Sequence, residues 1–157
     1  MNESIDLSAQ IIPGRSAGGV FIGARLSALY PKLKYLIYSN RCRTLIEDPF
    51  YVRYEVTNAF SLVVHVLNGR IIKLGCLKNY IGRLSNGICV GMTIGEAQSL
   101  NSSIYFDDNN EQFRFKGVPG IALESKSSTL SGAIEAITVY SPALESWNQE
   151  KERGEWQ

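Results

Sequence analysis

The sequence predicts an α+β protein: two tandem units, each a helix followed by three strands, forming one antiparallel sheet with the helices on one face. Three observations lead there. A phrase occurs twice, as Gly19-Val20-Phe21-Ile22-Gly23-Ala24-Arg25-Leu26 and as Gly87-Ile88-Cys89-Val90-Gly91-Met92-Thr93-Ile94, its copies 68 residues apart. Each copy leads into a segment that can run as a helix, and strand-like runs follow. The length of 157 residues and 45% hydrophobic content suit one domain, able to bury a core without metal or disulfide. Within a single domain 1–157, unit one spans 18–78, unit two 86–141, and a short tail 142–157.

Residues 1–17, with Pro13-Gly14-Arg15-Ser16 among them, read as an arm or an edge strand around Ile11 and Ile12 rather than core. From Leu26, the apolar positions Leu26, Leu29, Tyr30, Leu33, Leu36 and Ile37 recur at helical spacing, with Pro31 marking a boundary or kink. Phe50 to Val56 alternates as a half-buried strand does. Leu62 to Leu67 and Arg70 to Leu74 flank Asn68-Gly69, the strongest short signal for a two-residue hairpin, since both positions must accept positive φ. Asn79 to Asn86 joins the units.

In unit two, Thr93 and Glu96 form a capping-box pattern ahead of a helix through Ile94, Ala97 and Leu100. Ile104-Tyr105-Phe106 and Gln112 to Phe115 are strand-like runs around the turn-forming Asp107 to Glu111. Ile121 to Glu124 and Ala133 to Tyr140 make a further pair across the polar loop Ser125 to Gly132. The tail carries Trp147 and Trp156 and reads as a short helix or a frayed end.

Several chemistries find no pattern here. A net charge of +1 lacks the basic balance of a nucleic-acid binder. The one local excess is Lys32, Lys34, Arg41 and Arg43, interleaved with Tyr30, Tyr35 and Tyr38, and it reads as a solvated helix face. Cys42, Cys76 and Cys89 are odd in number and lack a CxxC pair, which suits reduced thiols in the cytoplasm and offers no metal-ligand spacing. The N-terminus carries Glu3 and Asp6 and lacks the basic start and apolar run of a signal peptide. No stretch reaches the ~18–20 apolar residues of a membrane span.

The only histidine, His65, lies within Leu62-Val63-Val64-His65-Val66-Leu67 and reads as structural, without a recognisable acid or cysteine partner. Gly14 to Gly19 lacks both the Lys-Ser/Thr ending of a phosphate loop and the pattern of a dinucleotide site. Asp107, Asp108 and Glu111 span too few residues for a calcium loop. The expectation is therefore no catalytic residue, no metal and no cofactor.

Tyr80-Ile81-Gly82 leading into the second phrase, and the closing Ile134-Glu135-Ala136-Ile137-Thr138-Val139, resemble the immunity proteins of contact-dependent growth inhibition and related polymorphic toxin systems. The tandem plan is also similar to that of the β-lactamase inhibitory proteins, which dock a sheet face on an enzyme. This resemblance covers roughly residues 11–142 and carries over no inhibitory residue by motif. It implies a non-catalytic, cytoplasmic protein that neutralises one cognate toxin domain, a nuclease for choice, by blocking its active site or substrate approach. The partner would bind one-to-one, with no direct nucleic acid, membrane or obligate small molecule. Two patches could carry the contact: Tyr105, Asp107, Asp108 and Glu111, and Glu47, Asp48, Tyr51 and Arg53. Competing readings are a small-molecule or lipid-binding module using the sheet face as a pocket, an enzyme built on His65, and an adaptor docking through Trp147 and Trp156.

Overall fold

The computed structural model of the chain describes residues 5–145. A two-stranded piece, β1 (Ser16–Ala17) and β2 (Val20–Phe21), precedes helix α1 (Leu26–Tyr38) and four strands, β3 (Cys42–Asp48), β4 (Tyr51–Val56), β5 (Phe60–His65) and β6 (Arg70–Cys76). The short helix α2 (Ile94–Leu100) then leads into β7 (Ile104–Asp107), β8 (Gln112–Phe115), β9 (Val118–Glu124) and β10 (Ala136–Tyr140). The eight strands β3 to β10 form one antiparallel sheet in the order β3-β4-β5-β6-β10-β9-β8-β7. This corrects the expected plan of two helix-plus-three-strand units. The unforeseen strand of the first half is β3, an edge strand whose residues after Cys42 are mostly exposed, so it shows no apolar alternation to read. Among the described residues, no helix is long and apolar enough to cross a membrane.

The repeated phrase has a structural meaning. In its first copy, the Gly23 N–H donates to the Ile71 carbonyl at 2.7 Å, Ile71 donates to Ala24 at 2.9 Å, and Leu26 donates to Gly69 at 2.8 Å. The second copy repeats all three: Gly91 to Ile134 at 2.8 Å, Ile134 to Met92 at 2.8 Å, and Ile94 to Gly132 at 2.9 Å. Each phrase is thus a hook that fastens the start of a helix to the chain entering β6 or β10. Those two strands then pair with each other, Ile137 opposite Cys76 and Val139 opposite Leu74. At α2 the Thr93 hydroxyl accepts the Glu96 N–H and the Glu96 carboxylate accepts the Thr93 N–H, completing the capping box.

Alternate residues of the strands meet the helices. Leu33 and Leu36 of α1 and Ile94 and Ala97 of α2 share a buried cluster with Phe60, Leu62, Leu74, Ile137, Leu123 and Phe113. Ile11, Ala17 and Val20 belong to the same cluster, so the N-terminal segment is core and not the expected arm or edge strand. Its hold is backbone pairing that the sequence pattern does not reveal: Ile11 donates to the Arg83 carbonyl, and Ile81 and Gly82 both donate to Leu7. Pro31 lies inside α1, where burial of Leu33 and Leu36 on the same helix outweighs the one backbone bond a proline forfeits. The Asn68-Gly69 connection also differs from expectation. His65 pairs with Arg70, leaving the four residues 66–69 as the loop, and only Gly69 takes positive φ, at 66°. Asn68 instead accepts the Arg70 N–H through its side chain at 2.9 Å, an Asx-type turn.

Candidate functional site

The face of the sheet turned away from the helices is the candidate site. Side chains alternate across a strand. With Phe60, Leu62, Leu74, Ile137, Leu123 and Phe113 on the helix side, the neighbours between them point to the other. Across the sheet, one row therefore runs Arg43, Glu55, Ser61, Gly75, Thr138 and Ala122, and beyond a register shift between β9 and β8 the cross-strand pair Arg114 and Tyr105 continues on the same face. The four central strands put small side chains in this row, whereas the outer strands put long charged and aromatic ones. The result is a floor with two walls. Ser61, Val63, Ala122, Ala136 and Thr138 are buried here without belonging to the helix-side cluster. A Cβ at Gly75 would overlap the Ser61 hydroxyl, which would have to turn aside to admit it.

The walls are built from paired charges. On the β3 side, Arg43 donates to Glu55 from Nε at 3.1 Å and from its NH2 nitrogen at 2.7 Å, with the Glu55 side chain 10% exposed and that of Arg43 66%. Arg53 pairs with Glu47. On the β7 side, Arg114 reaches Asp107 at 3.4 Å and also bonds the Tyr140 hydroxyl, while the Thr138 hydroxyl donates to Glu124 at 2.6 Å. Lys73, on the central strand β6, is exposed. The face thus offers fixed cations, anions and phenol groups around a shallow floor, the side-chain types favoured where protein surfaces meet.

The two predicted patches are not adjacent: they stand at opposite edges of the sheet, one in each wall of the open face. Glu47 and Asp48 end edge strand β3, with Tyr51 and Arg53 beside them on β4. Asp48 shapes the β3–β4 turn by accepting the N–H groups of Phe50 at 2.7 Å and Tyr51 at 3.1 Å. Tyr105 and Asp107 lie on edge strand β7, and Asp108 and Glu111 are exposed in the turn that follows. Asp107 is built into that turn. Its carboxylate takes the Asn110 amide at 2.7 Å, the Asn109 N–H at 3.1 Å and the Arg114 guanidinium, which hold its pKa below the ordinary 3.8. Sequence reasoning did not find Arg43, Glu55, Lys73, Arg114, Glu124, Thr138 and Tyr140 as members of one face, because only strand order brings them together.

His65 is fully buried on the open-face side at the end of β5, stacked on Phe50 and edge-on to its cross-strand partner Tyr51. Its Nδ1 accepts the Leu67 N–H at 3.3 Å. Cys42 and Cys76 belong to the helix-side cluster, across the sheet from it. Burial raises both thiols, that of Cys76 to about 12. Among the described residues, no three His, Cys, Asp or Glu side chains group as metal ligands would. Of the tyrosine-flanked lysines on α1, Lys34 is exposed and lies over the Tyr38 ring at 5.8 Å, while Lys32 is half-buried. Trp147 and Trp156 fall outside the described residues.

At the end of the open face where the halves join, a cleft of about 520 Å³ lies between Glu55 and Asn58 on one side and Ile134 and Glu135 on the other, with Leu77 and Val90 contributing apolar walls. The chain matches no protein-family model, no curated protein and no solved structure.

Proposed function

We propose that this chain is a non-catalytic immunity protein that neutralises one bacterial toxin domain in the cytoplasm by laying the open face of its sheet over the toxin's active site. The observation that carries the reading is that face: a small-residue floor walled by Arg43, Arg53, Arg114 and the tyrosines Tyr51, Tyr105 and Tyr140. Side chains that are held in place by ion pairs before binding lose less freedom on association, which favours tight inhibition. A toxin loop entering over Ser61, Gly75 and Thr138 would meet a charged rim on either side, and a nuclease cleft would supply complementary basic groups for Glu47, Glu55, Asp107 and Glu124.

The test is recovery of the tagged protein from its native host and identification of what remains bound. A toxin domain in one-to-one ratio is expected. Lys73→Glu, on the open face, should then weaken that complex at least tenfold, while Lys34→Glu, exposed on α1, leaves it unchanged. Equal effects of the two would remove the open face from the interface.

The cleft at the junction favours a second reading, a binding site for a compact apolar ligand with a basic group directed to Glu55 or Glu135. In that case the recovered protein carries a small molecule and no second chain.

A further inference from the structure

The open edge of the sheet at β3 presents an unpaired backbone row beside Arg43 and Glu47 of the open face. This strand is seven residues long against four for the opposite edge strand β7, and its register with β4 is regular from Cys42 to Ile46. Among the described residues, no backbone hydrogen bond outside the β3–β4 ladder engages residues 43–48. Edge strands are commonly blunted by shortness, proline, charged side chains or a bulge, since a bare row of N–H and C=O groups is a template for another strand. β3 contains neither proline nor lysine, its one bulge lies at its end between Ile46 and Asp48, and its Ile46, 81% exposed, is the most exposed large apolar side chain among the described residues.

We propose that β3 is the seam of a two-fold homodimer, pairing antiparallel with β3 of a second copy about Leu45. The choice of a second copy follows from charge. β3 is preceded by Arg41, carries Arg43 near its start, and ends in Glu47 and Asp48. An antiparallel copy reads this order in reverse, so a dyad at Leu45 sets Arg43 opposite Glu47 of the other copy, twice. Both residues project to the open face, because Arg43 bonds Glu55 and Glu47 bonds Arg53 there. Across the seam the row becomes Arg53, Glu47, then Arg43 and Glu55 of the second copy, four charges alternating in sign. Leu45 meets Leu45, and Ile46 gains cover beside Thr44 on the helix side. Other registers lose this match: a shift of two residues sets Arg43 opposite Leu45 in one direction and Glu47 opposite Leu45 in the other, and a parallel pairing sets like charge on like. Opposite charges directly across a strand pair stabilise, and like charges there destabilise. Pairing of this kind is isologous and closes on itself, so it stops at two copies.

Sedimentation equilibrium of the full chain, from about 1 µM to about 1 mM, reads the association in the range where small interfaces dissociate. A reversible dimer is expected. Arg43→Glu alone and Glu47→Arg alone should each weaken it roughly tenfold or more, because each sets two like-charged pairs across the seam. An equimolar mixture of the two variants should restore it, since every cross-seam pair is then again of opposite sign. Ile46→Lys, at a position where the side chain is exposed and the fold has no use for it, should also abolish association, with the circular dichroism unchanged. Monomer at all concentrations overturns the proposal. So does a dimer that both charge variants and Ile46→Lys leave intact, or one that mixing fails to restore.

Discussion

Gly23 and Gly91 occupy the same place in the two halves of the protein: each takes positive φ, 83° and 92°, and each donates its N–H to the chain that enters a central strand. A Cβ at either position meets nothing within 4 Å, so a side chain is opposed by backbone conformation alone. Gly23→Ala and Gly91→Ala should each destabilise the protein by about 1 kcal/mol, the cost of a left-handed conformation for an L-residue. The hooks lie in different halves, so the double variant should be additive within about 0.5 kcal/mol. Urea denaturation with an unchanged slope checks this. Gly18→Ala is the contrast, because its φ of 65° is joined by a Phe60 ring carbon 2.8 Å from the added Cβ, and it should cost clearly more than either hook.

Tyr80 ties the N-terminal segment to the joint between the halves. Its hydroxyl accepts the buried Gly18 N–H at 2.7 Å and donates to the Ala9 carbonyl at 2.8 Å, while the ring stacks on Phe60. Burial pushes the phenol well above its ordinary value, so it stays neutral and keeps its proton for Ala9. Tyr80→Phe retains the ring and leaves a buried donor and an acceptor without their partner. A loss of about 2 kcal/mol in denaturant unfolding is expected. Hydrogen exchange at Gly18 should accelerate at the same time, and an unchanged rate there would show that the hydroxyl is not what holds the segment.

The acidic turn separates into a structural and an exposed residue. Asp107 is held below its ordinary pKa by the Asn110 amide first, then by the Asn109 N–H and Arg114, so its charged form is favoured in the folded state. That stabilisation is complete above the unfolded value near 4 and disappears as pH falls through the lower folded value. Asp107→Asn should therefore lower stability at pH 7 and flatten the acid limb of the stability profile. Asp108→Lys should leave both unchanged. A binding defect in Asp108→Lys then reports on the partner, whereas one in Asp107→Asn also reflects the turn, and calorimetric titration against a recovered partner distinguishes them.

The legible parts of this fold were those written in contiguous residues. The capping box Thr93–Glu96 is a four-residue signal, and the alternating run that became β4 shows its period directly. Helix α1 shows its face through Leu33 and Leu36. What stayed hidden depended on distant partners. β3 carries exposed side chains on both faces as an edge strand, so its identity rests on pairing with β4 and not on pattern. Ile11 becomes core through partners distant in sequence, among them the Arg83 carbonyl that accepts its N–H. The open face was hidden for the same reason: Arg43, Gly75 and Thr138 are neighbours across strands and unrelated in sequence.

The floor of that face is a pair of complementary choices at one cross-strand position, Ser61 on β5 and Gly75 on β6. Gly75 has no positive φ, so its conformation would admit alanine; what opposes it is the Ser61 hydroxyl, which would have to rotate away from the added Cβ. Gly75→Ala should thus cost about 1–3 kcal/mol, the usual range for overpacking. Ser61→Gly should be mildly destabilising on its own through backbone freedom. The double variant moves the side chain from one strand to its neighbour and removes the clash, so it should recover most of the loss and give a coupling energy of opposite sign to the Gly75→Ala cost. Simple additivity in the cycle would mean that Gly75 is small for another reason. If the open face receives the partner, the double variant should also bind it more nearly as the native chain does than Gly75→Ala alone.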